Sequence, residues 1–257
     1  MTVQVLLAVI LFLLMVLIGG KKGARSFFTL FMNFGVFLII IIVMTIPTVN
    51  PVILTLIACT AISSINLFYI NGVNSKTKTA FLSSMITIAI LLFFIVIITK
   101  KAMIQGFGEE EIEELSVFSL YIGVDFVKIG AAVIIMSAIG SITDIAISIA
   151  SPMREVFHHH PSISKKDLFR FGLSIGRDVL GTDTNTLFFA FFGSYLGLLI
   201  WFKDLSYSFG EIVNSKVFSA EVITILCAGI GVALIIPITA WINASYLVKA
   251  REKDAVK

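Results

Sequence analysis

Charged side chains are scarce in this sequence. Only 14% of its 257 residues are acidic or basic, while 58% are hydrophobic, and a chain so poor in charge cannot clothe a soluble domain. With a formal net charge of +3, it has no basic surface of the kind nucleic acid requires, and no nucleic-acid partner is expected. Cysteine occurs twice, as Cys59 and Cys227, each inside an apolar block. That excludes a disulfide framework and a thiolate metal site. There is no phosphate-cradling glycine loop, no GxSxG elbow and no HExxH pair, so no enzymatic activity and no cofactor are anticipated. No Pro/Gly-rich linker divides the chain, and one domain is expected. Strand-like alternation is missing as well, because stretches such as FLIIIIVM are apolar on every side, which sets aside a membrane barrel.

What remains is an all-α, polytopic transmembrane helix bundle. A helix needs about twenty apolar residues to cross the bilayer, and seven blocks qualify, near residues 2–18, 26–46, 51–70, 80–99, 129–150, 179–202 and 219–247. The first could pass for a signal peptide, but no basic residue precedes it and no small-residue cleavage site follows, so it reads as a retained helix. Lys21, Lys22 and Arg25 follow the first block, and Lys76 and Lys78 the third. Arg154, Lys165, Lys166, Arg170 and Arg177 separate the fifth from the sixth, and Lys249, Arg251, Lys253 and Lys257 follow the seventh. All of these fall on one side of a seven-span map, which puts that side in the cytoplasm, with the N-terminus outside and the C-terminus inside.

The connecting segments offer fewer signals. On the outer side GEEEIEE, with Glu109, Glu110, Glu111, Glu113 and Glu114, reads as a solvated turn rather than a cation site. Residues 115–128 are too short to cross alone and read as interfacial or re-entrant. Inside, residues 152–176 form a loop in which Ser164 and Asp167 signal a helix start, followed by an amphipathic helix lying on the membrane surface. His158, His159 and His160 are consecutive, so their side chains diverge on a helix, and no metal site is expected there.

Two polar stripes interrupt the apolar spans. In the fifth, Ser137, Ser141, Asp144, Ser148 and Ser151 recur at helical spacing on one face. In the sixth, Asp178, Thr182, Asn185 and Phe189 share a face, with Thr186 beside Thr182 and Asp183 on the flank. A rise of about 1.5 Å per residue puts Asp144 and Asn185 at similar depth, roughly 9–12 Å from the cytoplasmic ends of their spans, so the two stripes are expected to meet. An aspartate in hydrocarbon costs about 2.5–3.5 kcal/mol, which makes Asp144 the leading functional candidate. Arg177 beside Asp178 suggests an inner gate. Asn243 is expected to join the cluster from the seventh span. Gly193 and Gly197 form a GxxxG pair that invites a neighbouring helix, while Gly229, Gly231 and Pro237 are expected to loosen the seventh span and free the Ala233 carbonyl.

GRDVLGTDTNTLFFAF, preceded by FRFGLSIGRD and, one span earlier, by GSITDIAISIAS, resembles the signature regions of the YibE/F-like family of bacterial multi-span membrane proteins. The resemblance is strongest over about residues 120–200. It implies family positions at Asp144, Gly176, Arg177, Asp178, Thr184, Asn185 and Thr186. Asp183 is a departure, because the family pattern commonly places an apolar residue such as methionine there. The resemblance further implies a neighbouring, larger family member as a partner. It supplies no activity, so function rests on the residues. The first expectation is a permease or ion-coupled transporter for an unknown small solute or ion: Asp144 holds a cation or proton, Asn185 and Thr182 coordinate the solute, and Ser141, Ser148 and Asp178 lie alongside. The alternative is a non-transporting subunit of a paired membrane complex. Asp144 and Asp183 also raise the possibility of an intramembrane aspartyl protease, but the tyrosine-aspartate and GxGD signatures of such enzymes are missing.

Overall fold

The computed structural model describes residues 2–104 and 125–255, and every regular element among them is helical. The acidic run and nearly all of residues 115–128 lie outside the described residues.

The first helix, α1 (Val3–Met44), has 42 residues and if straight would reach about 63 Å, twice the hydrocarbon thickness. It is not straight. Gly20 adopts φ +55° and ψ −137°, a backbone state open to glycine at no steric cost, and there the chain doubles back. The ring of Phe12 consequently lies 5.0 Å from that of Phe27 and 6.1 Å from that of Phe28. Gly23 sits against the Met15 carbonyl with no room for a Cβ. The two arms of α1 correspond to the first two apolar blocks.

Local signals set the next boundaries. Asn50 caps α2 (Pro51–Ser64) by accepting the Val52 N–H, with Pro51 in the first helical position where its missing N–H does no harm. A single π-helical turn, Ile65–Tyr69, ends that span. Asn74 and Thr77 form a reciprocal capping box at the start of α3 (Ser75–Ala102). Asp125 caps α4 (Phe126–His159) by accepting the N–H groups of Val127 and Lys128, and it pairs with the Lys128 ammonium at 3.0 Å. Ser164 opens α5 (Lys165–Ser194), which gives way at Tyr195 to α6 (Leu196–Asp204) with a bend of 48°. The short α7 (Phe209–Asn214) and the 40-residue α8 (Lys216–Ala255) follow.

Five of these helices are long and apolar enough to cross a membrane, six if the bent pair α5/α6 is taken as one span. Counting the arms of α1 separately yields the seven blocks anticipated above. The chain is an all-α polytopic bundle.

Its core lies where α3, α4 and α8 meet. Ile135, Ile142 and Ile149, seven residues apart on α4, are fully buried with Ala138 and Ala146 between them, and such small side chains allow the close approach membrane helices require. The seventh span stays helical throughout, although Pro237 inside it has no N–H to give the Ala233 carbonyl. Gly231 is buried where α8 passes Ile142 and Leu91, and α8 runs unbroken through Pro237.

The segment at residues 152–176 also differs from expectation. Residues 152–159 continue α4, and α5 runs without a break from Lys165 into the sixth span, so residues 152–176 form no separate surface helix. Packing explains the change. The apolar face of residues 165–176 meets protein: Leu168 is fully buried, a Cβ on Gly172 would fall 2.8 Å from Ala240 Cβ and 2.6 Å from Met153 Sδ, and Gly176 presses on Ile236. The close helix contact is therefore made by Gly172 and Gly176. Gly193 and Gly197 are exposed and have nothing against them. Arg251 Nη1 fastens the α4–α5 turn, donating to the carbonyls of Pro161 (2.7 Å) and Ile163 (3.2 Å).

Candidate functional site

The glycine contact holds α5 along α8, whereas α5 touches α4 far less extensively. Beyond Gly176 the two helices leave a groove between them with α8 as its floor. On α4 the side chains that turn away from the buried Ile142, Thr143, Ile145 and Ala146 are Ser137, Asp144 and Ser148, all exposed, with Ser141 half-buried. The serine and aspartate stripe thus lines the groove.

From α5 the groove receives Asp183, Thr184, Leu187 and Phe191. Asp183 is half-buried and lies near enough to Asp144 for the two carboxylates to interact electrostatically. Thr184 approaches the floor, its methyl carbon 3.8 Å from where a Cβ on Gly229 would lie.

The other stripe of α5 points the opposite way. Asp178, Thr182, Asn185 and Thr186 are exposed, and Phe189 is 74% exposed. The expected meeting of Asn185 with Asp144 does not occur. Helical spacing shows that Asp178, Thr182 and Asn185 share a face but not which way that face points. Gly172 and Gly176 decide it, because by seating α5 on α8 they turn the face carrying Asp183 inward. Arg177 is exposed beside Asp178, and among the described residues the two make no ion pair.

Asn243 does not join the groove. It is fully buried, its Nδ2 donating to the Ala150 carbonyl at 3.2 Å and its Oδ1 accepting from Thr79 Oγ1 at 3.1 Å. It fastens α3, α4 and α8 together. The triple histidine lies at the exposed end of α4, with His159 Nε2 3.3 Å from Glu155. Among the described residues no group of three His, Cys, Asp or Glu side chains could hold a metal ion.

Further along the groove, away from the glycine contact, a cavity of about 240 Å³ is lined by Ser137, Leu187, Phe191, Ser194, Tyr195 and Glu221, among others. Glu221, half-buried, accepts a 2.8 Å hydrogen bond from the Tyr195 hydroxyl. Sequence reasoning passed over this residue, although a lone carboxylate just inside the seventh apolar block was a legible signal. A larger cavity of about 700 Å³ lies between α1, α2 and α4, but its lining, including Phe34, Phe37, Ile40 and Met136, is almost wholly apolar and contains no carboxylate.

A family model described as YibE/F-like protein matches residues 7–249, nearly the whole chain. No curated protein and no solved structure matches it significantly. The match spans both arms of α1, the groove and the α4–α5 turn, ending two residues short of Arg251, and this membrane protein belongs to the YibE/F-like family.

Proposed function

We propose that the protein is an ion-coupled permease of the bacterial cytoplasmic membrane, with its N-terminus outside and its C-terminus in the cytoplasm. The observation that carries this reading is the pair of aspartates, Asp144 and Asp183, on neighbouring membrane helices and close enough to interact electrostatically. A carboxylate at membrane depth is expensive, and two beside one another more so, unless they bind something of opposite charge. A cation or proton held between them relieves their repulsion. Its arrival and departure change the charge of the groove, which is the element of coupling a carrier needs. Ser141, Ser148 and Thr184 supply oxygens on either side.

The test is charge movement in proteoliposomes on a solid-supported membrane, with jumps in pH, sodium and a panel of small solutes. Wild type should give a current that Asp144→Asn and Asp183→Asn each abolish. If both variants, verified as folded, carry wild-type currents, the reading is wrong.

A second reading rests on the outward face of α5. Thr182 and Thr186 satisfy their hydroxyls on their own backbone, at 2.9 Å each, but among the described residues the Asn185 amide has no hydrogen bond. An amide facing lipid without a partner is unfavourable by several kcal/mol. Another membrane chain lying on this face would satisfy it, and the larger family member is the partner we propose. Copurification from native membranes, weakened in Asn185→Leu, supports that pairing; an unaltered monomer counts against it.

A further inference from the structure

Glu221 lies on α8 where the span formed by α5 and α6 breaks. The break brings together the carbonyl end of α5, the Tyr195 hydroxyl, the Ser194 side chain and a cavity of about 240 Å³ that also reaches Ser137 and Thr224. Among the described residues its lining includes a carboxylate and several hydroxyls but no lysine or arginine. The carbonyl end of a helix carries partial negative charge, and interrupted membrane helices commonly place such ends at ion sites. A half-buried carboxylate fixed by a tyrosine, in a cavity with no basic side chain among its described lining residues, attracts a small cation and repels anions. The volume is too small for a large solute.

The cavity also connects to the groove already described. Ser137, in its wall, lies two helical turns from Asp144 on the same face of α4, about 10 Å along the axis. Leu187, also in its wall, is one turn from Asp183. Glu221 and the two aspartates therefore lie at different heights along the same α4–α5 seam, with α8 packed against both helices.

We infer that Glu221, held by Tyr195, forms a second cation site, distinct from the aspartate pair and further along the same α4–α5 seam. The ligand class is a small monovalent cation, sodium or a proton. As a step in transport this rests on the permease reading; as a binding site it does not.

The experiment separates the two. Detergent-purified full-length protein is melted across a series of sodium concentrations at fixed ionic strength, and separately across a series of pH values, because a ligand bound only by the folded state raises the melting temperature. Wild type is compared with Glu221→Gln, Tyr195→Phe and Asp144→Asn. The glutamine keeps the size of the side chain and can still accept the tyrosine hydrogen bond. The phenylalanine keeps the ring that packs 5.1 Å from Phe191. Stabilisation by sodium, or a pH-dependent rise, that vanishes in Glu221→Gln, needs several-fold more sodium or a shifted pH in Tyr195→Phe, and survives in Asp144→Asn supports the site. The sodium and pH arms identify the cation. If wild type responds to neither, or Glu221→Gln responds as wild type does, there is no cation site at Glu221. A site confirmed in this way while proteoliposome currents stay silent would sink the permease reading alone.

Discussion

Gly176 of α5 lies so close to Ile236 of α8 that no Cβ fits between them. Together with Gly172, which meets Ala240 and Met153 one turn away, this contact sets both the position and the rotation of α5. Gly176→Leu should therefore destabilise the protein by about 1–3 kcal/mol or more, the range for overpacking a tight interface. Gly193→Leu, at an exposed site, should change little. Melting temperatures in detergent check the contrast, and equal losses from both variants would show that α5 is not seated by these glycines.

Asn243 and Asn185 should part company in the same assay. Asn243→Ala removes two buried hydrogen bonds that tie α8 to α3 and α4, a loss of about 1–3 kcal/mol, although the Thr79 hydroxyl keeps the Ser75 and Lys76 carbonyls. Asn185→Ala touches nothing else in the chain and should fall within about 0.5 kcal/mol of wild type in the isolated protein.

The neighbouring carboxylates make a prediction of opposite sign. Removing one of two like charges relieves repulsion, so Asp183→Asn should leave stability unchanged or raise it by a few tenths to about 1 kcal/mol, while abolishing the current proposed above. A residue kept for function against stability behaves in this way. A marked fall in melting temperature for Asp183→Asn would mark the pair as structural.

At the N-terminus of α4 the Lys128 ammonium beside Asp125 holds its carboxyl below the usual carboxylate range. A group whose pKa is lower folded than unfolded contributes stability above its unfolded value, about 3.9, and loses that contribution as pH falls through the folded one. The cap should thus stay intact at pH 5. Asp125→Ala should lower stability by about 1 kcal/mol at neutral pH, with the difference from wild type shrinking only below about pH 4. Melting curves at pH 7, 5 and 3 test the sign.

The apolar blocks were legible because a helix in lipid must be hydrophobic without interruption, a constraint that acts on sequence directly. The turn at Gly20 was marked by the Lys21, Lys22 and Arg25 cluster. The face of α5 that turns inward was not legible. Both faces carry polar groups, and the choice between them depends on Gly172 and Gly176 finding α8, a contact between residues far apart in the chain. The same limit hid the role of Asn243, whose burial needs three helices at once, and the role of Gly231, which looked like a flaw in α8 and is a point of close packing. The loop at 152–176 was misjudged because an apolar face toward protein and one toward lipid headgroups have the same pattern.

The central position of α8 has a consequence for synthesis. It packs on α3, α4 and α5, floors the groove and, through Arg251, holds the α4–α5 turn, yet it leaves the ribosome after all of them. Until it inserts, Asp144 and Asp183 have nothing beneath them, and Gly172 and Gly176 have no surface to meet. α3 and α4 pack extensively on each other without it, but α5 must wait in the bilayer with its glycine face unmatched. α8, made after all of these, brings them together, so a ribosome stalled before residue 216 would leave a chain that is inserted but incompletely assembled, the kind of intermediate that membrane quality control removes.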